Sequence, residues 1–416
     1  MTKFFADTRP LHTPAFRRLW LANIVTVIGG QMTVVAVPAQ IYSITKDSGY
    51  VGLTGLFGLV PLIVFGLYGG AIADAFDKRR VLLATTLGLI GTTALFWVLT
   101  VMGNTNVWLL LGTYSLQQAF FAVNQPTRTA LMPRLLPKGL LAAAAALNMT
   151  LVQFGAIVGP LLAGALIPIT GFAWLYAIDA LSLLSTLWAV VKLPAVPGGG
   201  PGPGVASVVA GVKYVATQPI LLISLVADLI AMVFGLPRAL YPEIAHVSFG
   251  GPASGGTILA LLYASMALGA VLGGLFSGWI STVTRQGVAV YVLIIAWGLA
   301  VIGAGVGVLS HLAWLCLFML VLGGMMDMFS MAFRSAILQE SADEHVQGRI
   351  QGIFLIVVAG GPRFGDLLHG YSSGLIGPAF TIISGGVLVI LGTLVCMVLA
   401  PSFWNYRRPC SLESST

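Results

Sequence analysis

The sequence predicts an all-α integral membrane protein with twelve transmembrane helices, and three observations carry that reading. Residues 19 to 400 hold about a dozen apolar stretches, each long enough for the ~20 residues a helix needs to cross a bilayer. Charged residues are only 8% of the chain, hydrophobic residues reach 58%, and the mean hydropathy is +0.97. Almost all the positive charge falls on one side of the predicted spans. Backbone polar groups in lipid must pair internally, so the stretches are read as helices.

The first span is placed at residues 17–44, since Leu19 to Thr45 has no Asp, Glu, Lys, Arg or His. Ser48 to Ala73 is likewise uncharged and gives a span at 49–73. Val81 to Thr127 runs uncharged for 47 residues, enough for spans at 80–102 and 107–133 with a turn at Gly103-Asn104-Thr105-Asn106. Spans five and six are placed at 140–168 and 172–193. Pro194 to Gly204 is too rich in Pro and Gly for a helix and reads as a flexible linker. Six more spans follow at 219–242, 254–282, 287–309, 312–336, 349–374 and 377–400. The expected organisation is a six-helix bundle over 1–193, a cytoplasmic Gly/Pro-rich linker over 194–218, a second bundle over 219–400, and a cytoplasmic tail over 401–416.

The net charge of +7 could point to nucleic acid, but its distribution argues for topology instead. With a cytoplasmic N-terminus, seventeen basic residues fall in inner segments, Arg128 and Arg334 among them, and only Lys46 and Arg238 fall outside. That is the positive-inside bias. It places both termini in the cytoplasm of a multi-pass protein in the bacterial cytoplasmic (inner) membrane, surrounded by lipid and without a nucleic-acid partner. Met1 to Arg18 is polar and the first apolar run exceeds a signal h-region, so that run is expected to act as a signal anchor. Cys316, Cys396 and Cys410 show no disulfide or zinc spacing. No phosphate-binding loop or zinc-protease motif occurs, and no enzyme, metal or cofactor is expected. An ion gradient is the expected energy source.

The halves echo each other. Gly69-Gly70-Ala71 and Gly273-Gly274-Leu275 end spans two and eight. Arg128-Thr129-Ala130-Leu131 and Arg334-Ser335-Ala336-Ile337 end spans four and ten, 206 residues apart. A duplicated six-helix unit is the parallel repeat of transporters, with substrate bound between the halves.

After span two comes Gly70-Ala-Ile-Ala-Asp74-Ala-Phe-Asp77-Lys78-Arg79-Arg80. It resembles the loop signature of the major facilitator superfamily, with Ala75 in place of a basic residue and Asp77 in place of a glycine. The resemblance implies two pseudo-symmetric six-helix bundles. It also implies conformational gating by Gly70, Asp74, Lys78, Arg79 and Arg80, with Asp74 capping the positive end of a neighbouring helix. The bland alternative is a topogenic basic loop. Span five carries Gly155-Ala-Ile-Val-Gly159-Pro160-Leu-Leu-Ala-Gly164. Small residues four apart allow close packing, and Pro160 bends the helix. The stretch resembles the Gly-Pro signature of the superfamily's exporters. Their span-four arginine is absent from Tyr114 to Asn124, which offers amides only.

Charges inside spans are Asp179, Asp228, Asp327, Arg363 and Asp366. A carboxylate at mid-helix costs ~2.5–3.5 kcal/mol on insertion scales, so such groups face a cavity or a partner. Proton carriage or substrate contact is one reading; buried pairs that fix helix packing are the other. Arg363 and Asp366 share one face and can pair with each other. Gln31, central in span one, joins the candidates as a neutral hydrogen-bonding group.

The chain further resembles the branch of bacterial enterobactin exporters and macrolide-type efflux proteins. The likeness rests on Val35 to Ile41, the loop after span two, Arg238 to Pro242, and Gln347 to Gly352. It implies export of a small amphipathic molecule, of enterobactin (siderophore) type, in exchange for protons by alternating access, from a monomer. Broad multidrug (macrolide-type) efflux of drug-like molecules is the alternative within the fold. A non-transporting membrane scaffold or sensor is the alternative outside it.

Overall fold

The computed structural model describes residues 7–196, 213–341 and 347–407, except for the side chains of 67–75, 138, 339–341 and 347–356. Every regular element among them is helical. The long helices are α1 (Pro14–Thr45), α2 (Ser48–Ala75), α3 (Lys78–Val101), α4 (Val107–Leu135) and α5 (Leu141–Val191), then α6 (Pro219–Phe234), α7 (Thr257–Leu275), α8 (Gln286–Leu309), α9 (Ala313–Ser341), α10 (Gln347–Ile376) and α11 (Pro378–Leu399). Nine described segments are long and apolar enough to cross a membrane. The 51-residue α5 counts among them once, yet it breaks at Gly171, where φ is +74°. That left-handed backbone suits glycine and falls between the fifth and sixth predicted spans. With this break, and with the 29-residue α4 and 30-residue α10, the helices are consistent with twelve crossings.

Local chemistry sets the other boundaries. Asp77 caps α3, its carboxylate accepting the Arg80 N–H at 3.1 Å. Asn106 caps α4 through the Trp108 N–H at 3.0 Å. Capping side chains satisfy N–H groups that a helix start leaves unpaired. Asp77 has extended backbone, so the position needs no glycine. Segment seven departs from the predicted single helix. Its chain leaves α6 at Gly235, turns through Arg238–Leu240, and resumes as a short helix and a π-turn ending at Ser248. Pro237 supplies no N–H to continue the α6 ladder.

The described residues sort into two compact units. The first takes those within Met1–Ala206, Arg238–Ala264 and Asp366–Leu375; the second takes those within Ser207–Pro237, Ser265–Gly365 and Ile376–Thr416. In the first, α1 packs on α5, α2 on α4, and α3 on both α4 and α5. In the second, α8 packs on α9 and α11, and α6 on α11. Leu19, Leu82, Leu131 and Val190 form one buried core, and Leu221, Leu225 and Leu338 another. Leu21, Val25, Val60, Leu299 and Val398 stand exposed on long helices. Such faces are unfavourable in water and ordinary in lipid.

Candidate functional site

The exporter-type glycines work as contacts between helices. A Cβ on Gly155 would overlap the Val27 side chain, and one on Gly159 would overlap Gln31 and lie 3.1 Å from the Ile28 carbonyl. Gly164 meets Ala260 and the Gly256 carbonyl in the same unit. Pro160 is buried beside them. Gln31 is therefore placed in the α1–α5 seam. In the second unit Gly361 meets Met232, and Gly365 meets the Val233 carbonyl. These four residues lie 205 or 206 positions after Gly155, Val27, Gly159 and Ile28. One packing arrangement thus occurs twice, a repeat that the sequence echoes indicated at other positions.

Asp228 and Asp327 come together in the second unit, around an arginine that the sequence counts only among the inner-side charges at the end of span ten. Arg334 is 21 residues into α9 and 1% exposed. Its Nη1 is in direct contact with Asp228 Oδ1, and its Nη2 lies 3.5 Å from Asp327 Oδ1. Its Nε donates to the Ser330 carbonyl at 3.4 Å. Asp228 is fully buried, whereas the Asp327 side chain is 21% exposed. One guanidinium faces two carboxylates, so these three groups together carry one more negative than positive charge when all are ionised.

Asp179 belongs to the first unit and is 2% exposed. It accepts from Thr33 Oγ1 at 2.6 Å and from Ser182 Oγ at 3.4 Å. Gly29 allows this approach, for a Cβ there would lie 2.8 Å from Asp179 Oδ1. Among the described residues its side-chain partners are hydroxyls, with no cation. Arg363 and Asp366 are both half-buried on α10. The Asp366 carbonyl packs against Gly52 of α2.

Of the loop signature, Gly70 and Asp74 have side chains outside the described residues. Lys78 is buried, and its N–H donates to the Val196 carbonyl at 3.0 Å. Arg79 Nη2 donates to the Val191 carbonyl at 2.6 Å, where α5 ends. A cation there complements the negative end of the helix dipole. Arg80 contributes its N–H to the α3 cap.

A further polar cluster escaped the sequence reading. Glu243 Oε2 accepts from Ser48 Oγ at 2.5 Å and from Ser373 Oγ at 2.8 Å, all in the first unit. Beside it Gly370 and Gly52 bring the backbones of α10 and α2 together. Glu243 is the first glutamate in the chain, and the next is Glu340; that isolation was the available signal.

The profile of the transmembrane secretion effector family matches residues 5–407. The chain belongs to that family. Its membership agrees with the major facilitator resemblance, and the family's members are transporters rather than enzymes. This member is 29% identical to the enterobactin exporter EntS of Citrobacter koseri over 405 residues, 95% of this chain and 94% of that protein. It is also 29% identical over 392 residues to the enterobactin exporter EntS of Escherichia coli O1:K1 / APEC, 93% and 92% of the two chains. Among solved structures, the nucleoside transporter NupG superposes with a TM-score of 0.71 at 12% identity, covering 94% and 98% of the chains. A bacterial homologue of ferroportin in an inward-facing state gives 0.70 at 13%, covering 94% and 98%. Those two likenesses establish the major facilitator fold of this multi-pass membrane protein.

Proposed function

We propose that the protein is a secondary active exporter that moves a small amphipathic molecule of the enterobactin type out of the cell in exchange for protons. The observation that supports coupling is the cluster of Asp228, Asp327 and Arg334. Asp327 is its partly exposed acid, and the shared guanidinium links its charge to the packing of α6 against α9. Protonation and release there alternate the cluster between neutral and negative. A transporter responds to such a change only when its conformations differ in affinity for the proton. The enterobactin-type substrate is carried over from the relatives, which align with nearly the whole chain.

Inverted membrane vesicles provide the test. An acid-inside gradient is expected to drive enterobactin into vesicles that contain the protein, and its collapse abolishes accumulation. Accumulation of unrelated drugs without enterobactin transfers the reading to multidrug efflux. No flux of either, from folded protein, leaves a scaffold or sensor. Orientation has its own check: reporters fused near Pro201 or after Arg408 are expected to read cytoplasmic, and one near Gly251 periplasmic. A reversal overturns the export direction assigned to the gradient.

A further inference from the structure

The two sequence halves hold one polar arrangement twice, with one charge changed. Asn23 lies nine residues beyond the first residue of α1, and Asp228 nine beyond the first of α6. Arg128 lies twenty-one residues into α4, and Arg334 twenty-one into α9. In the first unit Arg128 Nη1 donates to Asn23 Oδ1 at 2.8 Å. In the second unit Arg334 contacts Asp228 and reaches Asp327. The second site therefore has two carboxylates for one cation, while the first has a cation and an amide. An amide oxygen accepts a hydrogen bond and contributes no charge. Among the described residues no carboxylate pairs with Arg128, which is half-buried in a membrane-spanning helix. An arginine there is costly unless it meets water or a counter-charge.

We propose that Asn23 and Arg128 form an anion subsite, which takes a carboxylate or ionised phenol of the transported molecule. This deepens the exporter reading and rests on it. Asn23 holds Nη1 and fixes the plane of the guanidinium. The remaining N–H groups then suit an oxyanion, which the planar fork binds through paired hydrogen bonds. An aspartate at position 23 would neutralise the arginine from within, as Asp228 does in the other half. The asparagine leaves that charge for the ligand to supply. An anionic lipid headgroup offers the same oxyanion chemistry, so the experiment separates the two sources.

The full-length protein is placed in nanodiscs of phosphatidylcholine alone and titrated with salicylate, an aromatic monoanion, beside neutral salicylamide. Salicylate is expected to raise the thermal midpoint of the parent, and salicylamide to leave it unchanged. N23D is expected to weaken salicylate about tenfold or more, by removing a charge-assisted contact. Its unliganded midpoint rises, because Arg128 gains a carboxylate. R128Q loses the salicylate effect, and R128K, which keeps the charge without the fork, retains part of it. A lowered unliganded midpoint in N23D means that Arg128 already has a counter-charge, and overturns the proposal. So does salicylate binding that is absent from the parent or equal in N23D. If phosphatidylglycerol raises the parent midpoint and abolishes the salicylate effect in an Arg128-dependent way, the subsite belongs to lipid and the substrate assignment falls. Enterobactin flux by the parent is measured in parallel. Its absence sinks the exporter reading, whereas intact flux with binding indifferent to N23D sinks the anion subsite alone.

Discussion

Asp228→Asn is expected to destabilise the folded protein by about 3 kcal/mol, the lower part of the range for breaking a buried ion pair. Asp228 and Arg334 are both essentially inaccessible, so neither charge has solvent to fall back on. Asparagine keeps the shape of the side chain and removes the charge that balances the guanidinium. Asp327 remains, but at 3.5 Å and partly exposed, so it compensates only in part. Replacing both partners by apolar residues, Asp228→Leu with Arg334→Met, is expected to recover much of the loss, because no uncompensated buried charge is left. The measurement is chemical or thermal denaturation in detergent for the parent, Asp228→Asn, the singles Asp228→Leu and Arg334→Met, and the double. Equal stability of Asp228→Asn and parent, or single losses that simply add in the double, contradicts the ion pair.

The spans were legible because the ~30 Å of hydrocarbon imposes length and apolarity directly on the sequence. The break at Gly171 and the turn at Gly103 fall where those lengths run out. Partnerships between spans were less legible. Charge counting treats an arginine near a span end as topogenic, so Arg334, at the end of span ten, counts only as one of the inner-side charges. The structure buries it, and the charge asymmetry remains strongly one-sided without it. The repeat held the missing signal, since Asn23 and Arg128 recur as Asp228 and Arg334 at offsets of 205 and 206. Reading amide against acid at equivalent positions would have drawn attention to both arginines. Asp77 was read as a departure from the loop signature, because the signature records a glycine. The capping oxygen that aspartate offers the next helix is visible only with the Arg80 N–H in place. Glu243 lies one residue beyond the stretch that carried the family likeness, and its two serine partners are far away in sequence.

Asp327→Asn is expected to leave the protein folded while abolishing gradient-driven accumulation. The variant keeps the Asp228–Arg334 contact, which alone balances to neutrality, so no buried charge is stranded. What it removes is the second carboxylate, the more exposed of the two. Without that group the cluster stays neutral in every conformation, and a gradient has nothing to act on there. Substrate exchange across the membrane at equal pH requires no net proton movement, so it persists. The two assays therefore separate coupling from binding: inverted vesicles with an acid interior lose accumulation, and preloaded vesicles without a gradient keep exchanging labelled substrate. Loss of both would assign Asp327 to substrate or to packing, which a stability measurement distinguishes. Accumulation at the parent rate, normalised to folded protein, would remove the cluster from proton coupling. Asp179, held by the hydroxyls of Thr33 and Ser182, would then be the next carboxylate to neutralise.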